Sequence, residues 1–139
     1  MTTETFPKIR KMTPLLNVAD VSRSILFYEG LIGFEIVTEF EADGVAEWAL
    51  LRAGDVEIML NEGDAGDSES RLRLPPFSGQ VLYFDVEDCQ ALHADLLSRG
   101  FRVEALEPQE YGVLEFRLRD PDGYELAFTT PIDDDSLEI

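Results

Sequence analysis

Apolar and polar residues alternate with a period of two over residues 114–119 and again over 124–129, on either side of Asp120-Pro121-Asp122-Gly123. Pro121 presets φ for the second turn position, Asp120 can close an Asx-type bond and Gly123 tolerates positive φ, so the pattern predicts a hairpin. Leu114, Phe116 and Leu118 line one face of the incoming strand, opposite Glu115, Arg117 and Arg119. On the outgoing strand Tyr124, Leu126 and Phe128 alternate with Glu125, Ala127 and Thr129. One face is built for a core, and the mixed face is left for something else.

The same reading carried from the N-terminus predicts a repeated order of elements. Residues 1–10 are polar and read as frayed. Residues 12–18 predict a strand with Pro14, Leu16 and Val18 on one face and Thr13, Leu15 and Asn17 on the other; Pro14 suits an edge. Asp20 is placed to cap a helix whose stripe is Val21, Ile25 and Tyr28, closed by Gly30 and Gly33. Strands follow over residues 34–40, 45–52 and 56–61, the last showing Glu57, Met59 and Asn61 on its second face. Residues 63–70, acidic and without periodicity, predict a solvated linker that Pro75-Pro76 keeps extended. Then come a strand over 81–86, an Asp88 cap, a helix with Cys89, Leu92 and Leu96 inward, Gly100, a strand over 101–106 and the hairpin. Gly33-Phe34 recurs as Gly100-Phe101, and Val18 as Val86, at nearly the same offset, which indicates an internal duplication. The expected architecture is α+β: one domain over 1–139, with a β-α-β-β-β module at about 11–62, a linker at 63–78, a second module at 79–131 and a tail at 132–139. Each module has one helix for a predominantly antiparallel sheet, so the other sheet face must be buried by the second unit, a second chain or a ligand.

Charge narrows the partners. The formal net charge is −18, which argues against nucleic acid or an anionic membrane. The acidic run Asp133-Asp134-Asp135 reads as solvated tail. A single cysteine, Cys89, allows no internal disulfide and fits a reducing cytosol. Neither a signal-peptide core nor an apolar run approaching ~20 residues is present, so a cytoplasmic location is expected. His93 reads as a surface histidine, and with no second histidine to act as base and no Gly-x-Ser-x-Gly elbow a hydrolase triad is not indicated.

Several short motifs in order, Thr13-Pro14-Leu15-Leu16-Asn17-Val18-Ala19-Asp20-Val21, Ser24-Ile25-Leu26-Phe27-Tyr28, Leu31-Ile32-Gly33-Phe34, Tyr111-Gly112, Glu115-Phe116 and Arg119-Asp120-Pro121-Asp122-Gly123-Tyr124, resemble the glyoxalase / bleomycin-resistance / extradiol-dioxygenase superfamily. The resemblance implies two modules forming a cupped sheet, helices on its convex side and a ligand in the cup, often in a homodimer. Metal-dependent members carry four ligands there. The resemblance puts those positions on Thr13, Met59, Val81 and Ala127, and a one-residue shift would offer Glu57 or Gln80. These are not a credible ligand set for a divalent ion, so no metal and no catalytic residue are assigned. The expected cup surface comprises Thr13, Leu15, Asn17, Trp48, Met59, Asn61, Val81, Tyr83, Asp85, Tyr111, Glu115, Arg117, Glu125 and Ala127, with the facing of Trp48 left open. Aromatic walls with carboxylates suit a cationic, planar ligand, and the resemblance to the bleomycin-resistance branch implies sequestration. The alternative is a lyase, isomerase or dioxygenase with an atypical site, using a displaced metal or Glu115, Glu125 and Tyr83 as acid–base groups. A partner or regulatory domain with an empty cup is a third reading, and for Glu115, Arg117 and Glu125 a plain cross-strand charge network is the bland one.

Overall fold

The computed structural model describes residues 5–132. Among the described residues eight strands and three helices run in the order β1 (Leu15–Val18), α1 (Val21–Ile32), β2 (Glu35–Ala42), β3 (Val45–Ala53), β4 (Val56–Glu62), α2 (Ala65–Leu72), β5 (Val81–Asp85), α3 (Cys89–Ser98), β6 (Glu107–Pro108), β7 (Val113–Arg119) and β8 (Glu125–Pro131). They build two four-stranded sheets, ordered β1-β4-β3-β2 and β5-β8-β7-β6. The orders correspond strand for strand. In each sheet the first strand pairs parallel with the last, and the remaining pairs are antiparallel. The protein is thus α+β, with its sheets mixed and open.

Local chemistry sets the element ends. Asp20 caps α1 by accepting from Arg23 N, and Gly33 closes it at φ 75°, a conformation without the Cβ clash that other residues would meet. Asp88 caps α3 by accepting from Ala91 N. The β2–β3 turn places Asp43 at φ 53° and Gly44 at φ 78°, the two left-handed residues a tight hairpin needs. α1 packs on β3 and β4, and α3 packs on β7 and β8. Leu16, Val18, Leu51, Ile58 and Leu60 of the first sheet join Phe84, Phe116, Leu126 and Phe128 of the second in one buried cluster with the helices. Phe34 meets Phe84 edge-on, and Phe27 leans on Phe101, so aromatic contacts cross from one module to the other.

Three expectations change. Residues 65–72 form helix α2 where a structureless linker is expected. Asp64 caps it by accepting from Gly66 N, and its buried Ser68 donates to Asp122 Oδ1 at 2.6 Å; a helix held by polar docking leaves no apolar period to read. Residues 101–106 are not a strand, and only Glu107–Pro108 pairs with β7. Apart from Glu104 N bonding Arg117 O at 2.7 Å, the stretch runs past the edge without a ladder. The first strand begins at Leu15, so Thr13 precedes it. The acidic run from Asp133 lies outside the described residues. Among the described residues no helix is long and apolar enough to cross a membrane.

Candidate functional site

The sheet face turned away from α1 and α3 carries the candidate side chains in rows fixed by strand register. In the first sheet Leu15 pairs with Met59 and Met59 with Leu50; next to them Asn17 pairs with Asn61 and Asn61 with Trp48. Directly opposed residues on paired strands share a face. Trp48 therefore stands on the face of Asn17 and Asn61, and Phe40, opposite Trp48 on β2, extends that row. Asn61 Nδ2 donates to Asn17 Oδ1 at 3.2 Å. Leu15 and Asn17 are exposed, while Met59, Asn61 and Trp48 are half-buried.

The second sheet supplies the other cluster. Val81 pairs with Glu125 and Glu125 with Arg119; Tyr83 pairs with Ala127 and Ala127 with Arg117; Asp85 pairs with Thr129 and Thr129 with Glu115. Arg117 lies between two carboxylates, 4.0 Å from Glu115 and 3.6 Å from Glu125. The Tyr111 hydroxyl donates to Glu115, and that bond, then desolvation and Tyr83, hold the Tyr111 phenol well above its ordinary range. Tyr111 comes from the turn before β7 and is 61% exposed, whereas Glu115, Glu125 and Ala127 are buried.

Tyr124 ties the first cluster to the second module. The Tyr124 hydroxyl accepts from Asn17 N at 2.9 Å and donates to Asn17 O at 3.2 Å, while the Arg71 guanidinium stacks 4.0 Å from the Tyr124 ring centroid. A cleft of about 420 Å³ is lined by β5 (Val81, Tyr83 and Asp85), by Met12 and Pro14 of the segment before β1, and by Glu57 at the start of β4. Glu57 is gripped by Lys11 and Arg52, whose hydrogen bonds hold its carboxyl below the usual carboxylate range.

Thr13, Met59, Val81 and Ala127 do not fit a metal-binding set. Met59, Val81 and Ala127 offer no oxygen or imidazole donor, and Val81 registers with Glu125 rather than Ala127. Shifting the register gives Glu57, already committed to two cations. Among the described residues no group of three or more His, Cys, Asp and Glu is placed to hold an ion. His93 sits off this face, within 2.9 Å of Glu104 O through Nε2 and edge-on to Phe116. Cys89 is fully buried against β7, its Sγ 3.5 Å from Leu114 O.

Three features of this region are not signalled by alternation. Phe77 lies over the second cluster: its N–H donates to Glu125 Oε2 at 2.9 Å, and its ring centroid is 4.4 Å from the Arg117 guanidinium carbon. Arg119 donates to the carbonyls of Arg71, Leu72 and Leu74, tying the same segment down. Behind it, Asp122 is fully buried and accepts from Ala19 N, Arg23 Nη2, Ser24 Oγ and Ser68 Oγ. A lone phenylalanine in an aperiodic stretch is the only trace of the first feature in the sequence.

The model of the Glyoxalase/Bleomycin resistance protein/Dioxygenase superfamily matches residues 9–128. No curated protein matches the chain. Among solved structures it is similar to TnmS3, an antibiotic binding protein from Streptomyces sp. CB03234, at TM-score 0.70 and 19% identity over 91% of this chain and 99% of that one. It is also similar to a bleomycin-binding protein complexed with bleomycin, at TM-score 0.64 and 25% identity over 88% and 98%. A lactoylglutathione lyase from Agrobacterium tumefaciens aligns at TM-score 0.65 and 18% identity over 89% and 95%.

Proposed function

This chain belongs to the glyoxalase/bleomycin resistance protein/dioxygenase superfamily, and from that premise we propose that it holds a small cationic, aromatic molecule on its concave face without a metal ion, acting by sequestration. The fold leaves binding and catalysis both open, since similar folds belong to a bleomycin binder and to a lyase. The observation that carries the reading is the pair of rows Leu15–Met59–Leu50 and Asn17–Asn61–Trp48. They offer apolar area, an indole face and amides, which suit an organic ligand, in place of ligands for an ion. The carboxylate of Asp85 at the cleft favours positive charge on that ligand.

The catalytic alternative asks Glu115, Glu125 and Tyr83 to move protons. Glu115 and Glu125 share Arg117, and each takes a further donor, Tyr111 and Phe77 N respectively. Carboxylates so occupied make poor bases, so binding is the stronger reading. A homodimer completes it. Ile36, Val37 and Phe40 are exposed along the free edge strand β2, beside the Trp48 row, and a second copy would wall the open side.

The test is a titration with 9-aminoacridine, a planar cation. Quenching of the single tryptophan together with a rise in Tm is expected. Absence of both, for this and a panel of cationic aromatics at millimolar concentration, would rule the reading out.

A further inference from the structure

The segment from Leu72 to Gln80 crosses the face of the second sheet turned away from α3, and its attachments are specific. Arg119 fastens its start through the carbonyls of Leu72 and Leu74, and through that of Arg71 just before it, and Phe77 fastens its middle through Glu125 and Arg117. Phe77 takes φ 62°, in the left-handed region that penalises a side chain with a Cβ. The backbone is therefore held in a costly conformation that puts one aromatic ring and one N–H donor on an arginine–carboxylate pair. Phe77 remains 55% exposed, so a conventional core role does not explain it. Beside it lies a cavity of about 320 Å³ lined by Pro76, Arg102, Glu104, Arg117 and Glu125, which gives solvent access to the pair.

We infer that Phe77 is a built-in occupant of a ligand subsite formed by Arg117 and Glu125, and that the subsite takes an aryl ring bearing an adjacent N–H donor. The inference rests on the binding reading above and deepens it. Arg117 offers a flat cation for stacking, and Glu125 accepts the N–H, so a ligand with both groups makes the same two contacts that Phe77 makes. Pro75-Pro76 on one side and Gly79 on the other bound the piece that has to swing away. An occupant of this kind weakens ligand binding by the fraction of time the subsite is filled.

Benzamidine, an aryl ring with an N–H-bearing cation, is the probe. Phe77→Ala is expected to tighten benzamidine binding about tenfold, the factor for a subsite free about one tenth of the time. Phe77→Gly, which removes the ring but relaxes the positive φ and so keeps the backbone N–H on Glu125, should tighten binding less than Phe77→Ala. Glu125→Gln should weaken binding in both backgrounds. In the unaltered protein, saturating benzamidine should speed amide exchange over residues 74–79. Equal affinity for the Phe77 variants and the parent, or exchange over 74–79 that benzamidine leaves unchanged, overturns the inference. If 9-aminoacridine still quenches Trp48 in that case, the general binding reading stands and only the subsite falls; if neither probe binds, both fall.

Discussion

The hydroxyl of Tyr28 donates to Asp120 Oδ2 at 2.7 Å, joining the middle of α1 to the β7–β8 turn. Both groups are buried, and Asp120 Oδ1 takes the N–H groups of Asp122 and Tyr124. Asp122, two residues on, gathers donors from before α1, from α1 itself and from α2. The turn is therefore the joint where the modules and the crossover helix meet.

Tyr28→Phe should lower stability by about 1–3 kcal/mol, because it leaves a buried carboxylate oxygen without its donor. Urea denaturation measures the loss. A change within error would mean that water replaces the hydroxyl at no cost.

Asp120 sets a pH dependence of definite sign. Burial raises its pKa from 3.8 to about 6, against the lowering by its hydrogen bonds. The folded chain thus holds this proton more tightly than the unfolded chain. The associated stability is full below the unfolded value and is lost as pH rises through about 6. Between pH 4 and 6.5 the parent should lose about 2 kcal/mol relative to Asp120→Asn. Denaturation curves of the two proteins across that window should diverge; parallel curves would refute the assignment.

Gly123 has φ 87°, and a Cβ there would stand 2.8 Å from Leu72 N. Gly123→Ala should cost about 1–3 kcal/mol in backbone strain alone and loosen the end of α2. Faster amide exchange over residues 65–72, with α1 unchanged, is the expected signature.

Purified protein should carry far less than one equivalent of Ni, Zn, Fe or Mn per chain, because Met59, Val81 and Ala127 supply no donors. Elemental analysis after desalting decides this. About one retained equivalent would restore the catalytic alternative.

Light scattering should give twice the 15.7 kDa chain mass, and Phe40→Glu on the free edge should return a monomer. A monomeric parent would leave the Trp48 row open to solvent and remove the second copy from the binding reading.

Periodicity and caps carry far in this chain. Leu16 and Val18 against Leu15 and Asn17, or Ile58 and Leu60 against Met59 and Asn61, separate the two faces of a strand from local sequence alone, because side chains alternate at every residue. Asp20, Gly33 and Asp88 mark helix ends through bonds to residues three or four positions away. Those signals also expose the repeat. Helix α2 escapes them because it is held by Ser68 and Arg71 reaching Asp122, a long-range polar contact with no apolar stripe. The stretch 101–106 escapes for the opposite reason: its apolar residues satisfy a strand pattern, but it runs along β7 with a single backbone bond.

What the sequence determines, then, is which residues turn inward, where helices start and stop, and that the concave positions are poor in metal donors, since each depends on side-chain identity and near neighbours. Tertiary structure alone decides that Trp48 stands beside Asn61, that Glu57 is spent on Lys11 and Arg52, and that Phe77 lies on Arg117 and Glu125. Those facts depend on strand register and on where a crossover segment falls, and both are fixed by contacts between residues far apart in the chain.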